Sequence, residues 1–172
     1  MKVKVKKLVE RAVIPTYSKP GDAGLDLTAV DYSETDRYQE YHTGLSFEIP
    51  EGYVGLLFPR SSITKHDMLL KNSVGVIDSS FRGEVTLRFQ RVSSGMNPLR
   101  KDYEVGDRIG QLIILPYPKI EFEEVQELSA SERGTGGFGS TNIPFCEEAA
   151  FNPLNPNSGD AHNKETCEHC KR

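Results

Sequence analysis

Apolar residues alternate with polar ones at Val3/Val5, at Leu45/Phe47/Ile49 and at Val85/Leu87/Phe89. A period of two turns one side of a segment toward a core and the other toward water, the pattern of a half-buried strand. Shorter continuous apolar runs occupy 54–58, 74–77 and 112–115 and read as more deeply buried strands. Turn-forming clusters separate these segments at Pro20-Gly21-Asp22, Pro50-Glu51-Gly52, Phe81-Arg82-Gly83 and Val105-Gly106-Asp107. Short strands at this spacing predict an all-β sandwich or barrel. One short helix is expected near 61–70, just after Pro59-Arg60, with Ser61 or Ser62 as its cap.

The pattern stops after Asn142. Residues 143–172 show no alternation, contain Asn152-Pro153-Leu154-Asn155-Pro156, and read as a tail without a core of its own. The chain of 172 residues fits one domain plus tails, long enough to bury a core without metal or disulfide support. Its three cysteines, Cys146, Cys167 and Cys170, all lie in the tail, so no disulfide framework supports the body. Cys167-Glu168-His169-Cys170, with His162 nearby, has the spacing of two zinc ligands. A second ligand pair at the usual distance is missing, which favours a plain tail. A net charge of −4 gives no electrostatic footprint for nucleic acid. No stretch approaches the ~20 apolar residues of a membrane span. The start, MKVKVKK, lacks the apolar region of a secretory signal. A soluble, cytoplasmic protein is the expectation.

Five segments are too polar or too glycine-rich to be plain strand connections. In Ala23-Gly24-Leu25-Asp26-Leu27 an acid is flanked by two leucines, so it points away from an apolar face. It is either a turn-proximal acid or one that orders metal-bound water. In Phe58-Pro59-Arg60-Ser61-Ser62 an arginine and two hydroxyls meet the expected helix start, whose free N–H groups suit phosphate. Asn72 opens a third segment that runs through Val76 to Asp78, Phe81 and Gly83. Asp78 ends an apolar strand there and enters a tight hairpin, as a turn former or as a carboxylate able to take a proton from water. In Asp107-Arg108-Ile109-Gly110-Gln111 the alternation aims Gln111 inward. Last, Arg133-Gly134-Thr135-Gly136-Gly137-Phe138-Gly139-Ser140-Thr141 has four glycines in nine residues. Successive free N–H groups in such a loop form an anion-binding nest, with Arg133, Ser140 and Thr141 adding donors and Phe138 able to cover a flat ring. Together the five supply acids, arginines, hydroxyls, an aromatic cover and a water-activating carboxylate, the parts of a nucleoside triphosphate hydrolase.

In these segments the sequence resembles the homotrimeric dUTPase family, with all five family motifs in order between residues 23 and 142. The resemblance implies a distorted jelly-roll β-barrel, a homotrimer, and active sites at subunit interfaces. It implies hydrolysis of dUTP to dUMP and pyrophosphate with Mg²⁺ as cofactor. The barrel would span 1–132 and a glycine-rich arm, 133–142, would close over a neighbouring subunit's site. Asp78 matches the acid that deprotonates the attacking water. Asp26 and Gln111 match residues that hold waters on the metal. Arg60, Ser61 and Ser62 match the phosphate segment. Asn72 and the 76–83 backbone, including Val76 and Gly83, match the uracil reader. Phe81 takes the place of the aromatic beneath the deoxyribose. Arg133, Gly137, Ser140 and Thr141 match γ-phosphate contacts of the arm, and Phe138 the residue stacked on uracil. Three positions depart from the family pattern: Phe81 replaces a common Tyr, Asn142 replaces a usual Gly, and Gly110 replaces a common Ala, a change expected to matter little.

Two other readings fit part of the pattern. A dCTP deaminase on the same fold needs a glutamate for chemistry at C4, and Glu84 is the nearest candidate. A nucleotide-sensing protein without catalysis would be expected to have lost a catalytic residue, and none is lost.

Overall fold

The computed structural model describes residues 1–92 and 101–137. The chain divides into two units, Met1–Glu121 and Phe122–Arg172. Among the described residues the first contains ten strands: β1 (Lys4–Lys7), β2 (Leu25–Thr28), β3 (Asp31–Glu34), β4 (Gln39–His42), β5 (Leu45–Glu48), β6 (Tyr53–Phe58), β7 (Met68–Leu70), β8 (Gly75–Ile77), β9 (Thr86–Arg91) and β10 (Arg108–Pro116). They form a two-stranded sheet β1-β5 and two four-stranded sheets, β2-β10-β6-β8 and β3-β4-β9-β7. Every pairing is antiparallel. No helix among the described residues is long and apolar enough to cross a membrane.

The alternating segments behave as their pattern predicts. Val85, Leu87 and Phe89 are buried, as are Leu45, Phe47 and Ile49. Val3 and Val5 pack only against the edge of the core. Leu27, Ile109 and Leu112 from one large sheet meet Tyr41, Leu87 and Phe89 from the other in a single cluster. Tyr41, Phe89 and Tyr103 pack as rings tilted or edge-on to one another, which favours their quadrupoles beyond simple burial.

The helix expected over 61–70 is not formed. Ser61–Lys65 make one 3-10 turn, and Met68–Leu70 go into β7 beside β9. Met68 and Leu70 are buried while Leu69 is exposed, so the segment satisfies a period of two that pairing with β9 rewards. Neither Ser61 nor Ser62 caps the turn: Arg60 holds that position in extended conformation, with no side-chain cap bond.

Gly110 also departs from expectation. A Cβ added there would lie 2.4 Å from Leu87 Cδ2 and 3.0 Å from the Phe58 carbonyl oxygen. Leu87 is fully buried and has little room to move. Gly110→Ala should therefore lower stability by about 1–3 kcal/mol, the usual range for overpacking. Chemical denaturation checks this, and an unchanged midpoint would show that Leu87 repacks without cost.

Candidate functional site

Asp26 is the centre of a charged cluster at one end of the β2-β10-β6-β8 sheet. The sheet register sets Gln111 opposite Asp26 on one side and Phe58 on the other. Arg60, two residues past Phe58, therefore arrives at the same level. Its Nε donates to Asp26 Oδ1 at 2.8 Å. Arg108 Nη1 donates to Asp26 Oδ2 at 3.0 Å, and Gln111 Nε2 reaches Oδ1 at 3.4 Å. The side chains of Asp26 and Arg60 are 16% and 22% exposed, so this pair is better shielded than an ordinary surface ion pair. Two guanidiniums on one carboxylate leave a local charge of +1, which suits an anionic ligand.

Gln111 does not face the core as its alternation suggested. It is half-buried beside Asp26 and Gly24, while Ile109, Gly110 and Leu112 are the buried residues of β10. The cause is a register shift between Arg108 and Gly110 where β10 meets β2. Such an irregularity breaks strict alternation and brings Arg108 and Gln111, three residues apart, to one carboxylate. Sequence reasoning passed over Arg108 for the same reason. Its position three residues before Gln111 in a polar segment was the only available signal.

Ser61 is exposed. Ser62 Oγ is buried without a hydrogen-bond partner, and so is the Tyr103 hydroxyl. The two lie near each other but outside bonding geometry. Burial pushes the Tyr103 phenol above its ordinary pKa, against the opposing pull of Ser62 and of the Arg60 charge.

Asp78 lies elsewhere. It follows β8 and is exposed, and its carbonyl accepts from Phe81 N at 3.1 Å. The tight turn is present, but the expected hairpin is not: β8 pairs with β6, while β9 belongs to the other large sheet. The chain crosses between sheets after Asp78, so the strands on either side of the turn have separate partners. Phe81 is 41% exposed and lies over Gly83, where an added Cβ would come 2.6 Å from the ring. Val76 is exposed on the outer side of β8. Asn72 lines a cavity of ≈ 480 Å³ with Leu57, Leu70, Lys71, Thr86 and Arg88. That volume is within the range of small-molecule sites.

The register separates these two groups. Asp26 is level with Phe58, whereas Ile77 is level with Gly55, placing Asp78 one residue further on. The offset is roughly 13 Å along the strands and three inter-strand spacings, about 14 Å, across them. A general base must lie within hydrogen-bond reach of its proton or one water away. One copy of the chain therefore does not join Asp78 to the Asp26–Arg60 cluster.

In the second unit, Arg133 Nε donates to the Gly136 carbonyl at 3.0 Å, and Gly134 N bonds Ser131 Oγ at 3.1 Å. Gly137 is exposed. The expectations for Phe138, Ser140 and Thr141, and for the tail cysteines and His162, fall outside the described residues. Glu84 does not fit the role of a free acid or base. Its Oε1 accepts from Gly44 N at 2.7 Å and its Oε2 meets His42 Nδ1 at 3.0 Å.

The dUTPase family model matches residues 10–142. A deoxyuridine 5'-triphosphate nucleotidohydrolase of Trichodesmium erythraeum is 38% identical over 144 residues, covering 82% of this chain and 99% of that protein. One of Hydrogenobaculum sp. is 40% identical over 147 residues, covering 83% and 99%. The dUTPase of Staphylococcus bacteriophage 80alpha, solved with dUpNHpp, superposes with a TM-score of 0.71 at 28% identity, covering 83% of this chain and 99% of that one. Fold and matches define a jelly-roll protein of the nucleotidohydrolase class. The chain belongs to the dUTPase family.

Proposed function

We propose that the chain hydrolyses dUTP to dUMP and pyrophosphate as a homotrimer, with each site built from more than one copy. Hydrolysis of dUTP is supported by the family and by relatives named for that activity over nearly their whole length. The phage relative's complex with dUpNHpp supports a deoxyuridine nucleotide as ligand. The observation that carries the shared site is the separation of Asp78 from the Asp26–Arg60 cluster within one chain. A closed, symmetric trimer supplies the missing half of each site from a neighbour.

In this reading Asp78 takes the proton from the water that attacks the α-phosphorus, in line with the departing pyrophosphate. Arg60, with Ser61 and Ser62, binds the phosphates; its Nε bond to Asp26 orients the guanidinium toward them. Asn72 and the backbone of 76–83 read uracil with fixed donors and acceptors. Cytosine would leave buried groups unpaired, a mismatch that can discriminate by ~10⁴ or more. Phe81 packs beneath the deoxyribose and excludes a 2′-hydroxyl. Residues 133–142 act as an arm over a neighbour's site on a barrel of residues 1–132, and 143–172 stand outside the reaction as a tail. The product serves thymidylate synthesis, and the removal of dUTP keeps uracil out of DNA.

The residues fit Mg²⁺ in one specific way. Among the described residues no three His, Cys, Asp or Glu side chains gather to hold a metal. Asp26, whose oxygens already accept from Arg60 and Arg108, and the Gln111 amide beside it fit a cation that arrives with an anionic triphosphate and takes its ligands from phosphate and water. Asp26 and Gln111 would hold waters on it from that side. When bound, Mg²⁺ neutralises phosphate charge and fixes the conformation of the triphosphate.

Mixed trimers test the shared site. Asp78→Asn and Arg60→Ala proteins should each be nearly inactive alone. Refolded together in equal amounts, they should regain about a quarter of wild-type activity, because random association places an intact Asp78 opposite an intact Arg60 in that share of sites. Mixtures no more active than their components would place both residues in one subunit's site.

A further inference from the structure

Residues 42–46 run from the end of β4 through the two-residue connection into the start of β5, and each of the five bonds the chain between Arg82 and Val85. His42 Nδ1 meets Glu84 Oε2 at 3.0 Å, and Thr43 Oγ1 donates to the Val85 carbonyl at 2.6 Å. Gly44 N donates to Glu84 Oε1 at 2.7 Å. Val85 N donates to the Leu45 carbonyl at 2.9 Å, and Ser46 Oγ to the Arg82 carbonyl at 2.7 Å. The series continues toward Asp78. Arg82 Nη1 donates to the carbonyls of Ser79 (2.6 Å) and Phe81 (2.9 Å), and Phe81 N closes onto the Asp78 carbonyl at 3.1 Å.

Gly44 is fixed within this arrangement. Its φ is +66°, and an added Cβ would lie 2.6 Å from Val9 Cγ2 and 3.0 Å from Ala12 Cβ. Only glycine fits there without strain, and its N–H is thereby aimed at Glu84. Glu84 in turn is half-buried, with each oxygen on a different residue of the link. The Glu84 carboxylate thereby ties its own segment to His42 and Gly44.

We propose that residues 42–46 form a cradle that sets the position of Asp78, with Glu84 as the positioning residue through which the cradle acts. The proposal rests on the reading of Asp78 as the general base. Both Glu84 oxygens are engaged by His42 and Gly44, so Glu84 acts on the reaction through the chain it holds. It anchors the far end of the turn whose near end carries Asp78.

The test is a double-mutant cycle on the full-length protein, read as kcat for pyrophosphate release from dUTP with Mg²⁺. Glu84→Ala removes both anchoring bonds and should lower kcat about 10- to 100-fold, the scale of a displacement near 1 Å at a reacting group. Glu84→Gln keeps an acceptor for Gly44 N and a polar partner for His42 Nδ1, so it should stay within about three-fold of wild type. In an Asp78→Asn background Glu84→Ala should cost no more than about two-fold further, because a residue acting through Asp78 has nothing left to position. If Glu84→Ala does not fold, Ser46→Ala removes the bond to Arg82; its loss of about 3- to 10-fold should likewise vanish beside Asp78→Asn. Wild-type turnover by the variant used as the probe (Glu84→Ala, or Ser46→Ala in its place) would overturn the proposal. So would a Glu84→Gln protein as slow as Glu84→Ala, or a loss undiminished beside Asp78→Asn, and each would leave the base assignment standing. Wild-type turnover by Asp78→Asn alone would remove the base assignment and this proposal with it.

Discussion

Asp78→Asn is expected to yield a folded protein that still binds dUTP and turns it over ~10² to 10⁴-fold more slowly, the usual weight of a general base. The fold is expected to survive because Asp78 is exposed and its part in the turn is played by its carbonyl, which Asn retains. Asn is also nearly the same size, so the turn at Phe81 and the Arg82 bonds to Ser79 and Phe81 are undisturbed. Binding should survive because, in the proposed reading, the separate Arg60 cluster holds the phosphates and backbone groups hold the base. The loss should therefore fall on kcat, with little change in affinity for a non-hydrolysable analogue measured by calorimetry. Near-normal pyrophosphate release would remove Asp78 from the reaction.

The second large effect concerns the glycine-rich segment. Truncation after Glu132 removes Arg133 and everything beyond it but leaves intact the unit Met1–Glu121, which contains the ten strands and the buried core of the described residues. Stability and oligomeric state should be unchanged. kcat should fall by ~10²-fold or more, because a closing segment contributes phosphate donors and excludes water only when it is present. Thermal unfolding, sedimentation and steady-state kinetics on the same truncated protein separate the two roles. A truncated protein that unfolds would make the segment a structural element instead of a catalytic one.

The candidate site was partly legible. Asp26, Arg60 and Gln111 stand out as polar residues in glycine- and serine-rich surroundings, and the structure brings all three together. Arg108 did not stand out, because the register shift beside Gly110 that turns it toward Asp26 leaves no trace in a period-two pattern. The strands β3 and β4 were missed for a related reason. Asp-Tyr-Ser-Glu and Gln-Glu-Tyr-His alternate no apolar residues, and they are strands because β9 pairs with β4 and Tyr41 alone of these carries a large buried ring into the core. Gly110 and Gly44 look like any other glycine in the sequence. Only the packing of Leu87 against one and of Val9 against the other makes them necessary.

Composition and alternation by themselves determined an all-β body with a polar tail, and did so because burial of every second side chain is a local property that each strand writes into its own residues. The order of strands in the sheets, the replacement of the helix expected over 61–70 by a 3-10 turn and a short strand, and the distance between Asp78 and Asp26 were decided only in three dimensions. Each depends on which strand lies beside which, and pairing energy comes from a partner far along the chain that no local window contains.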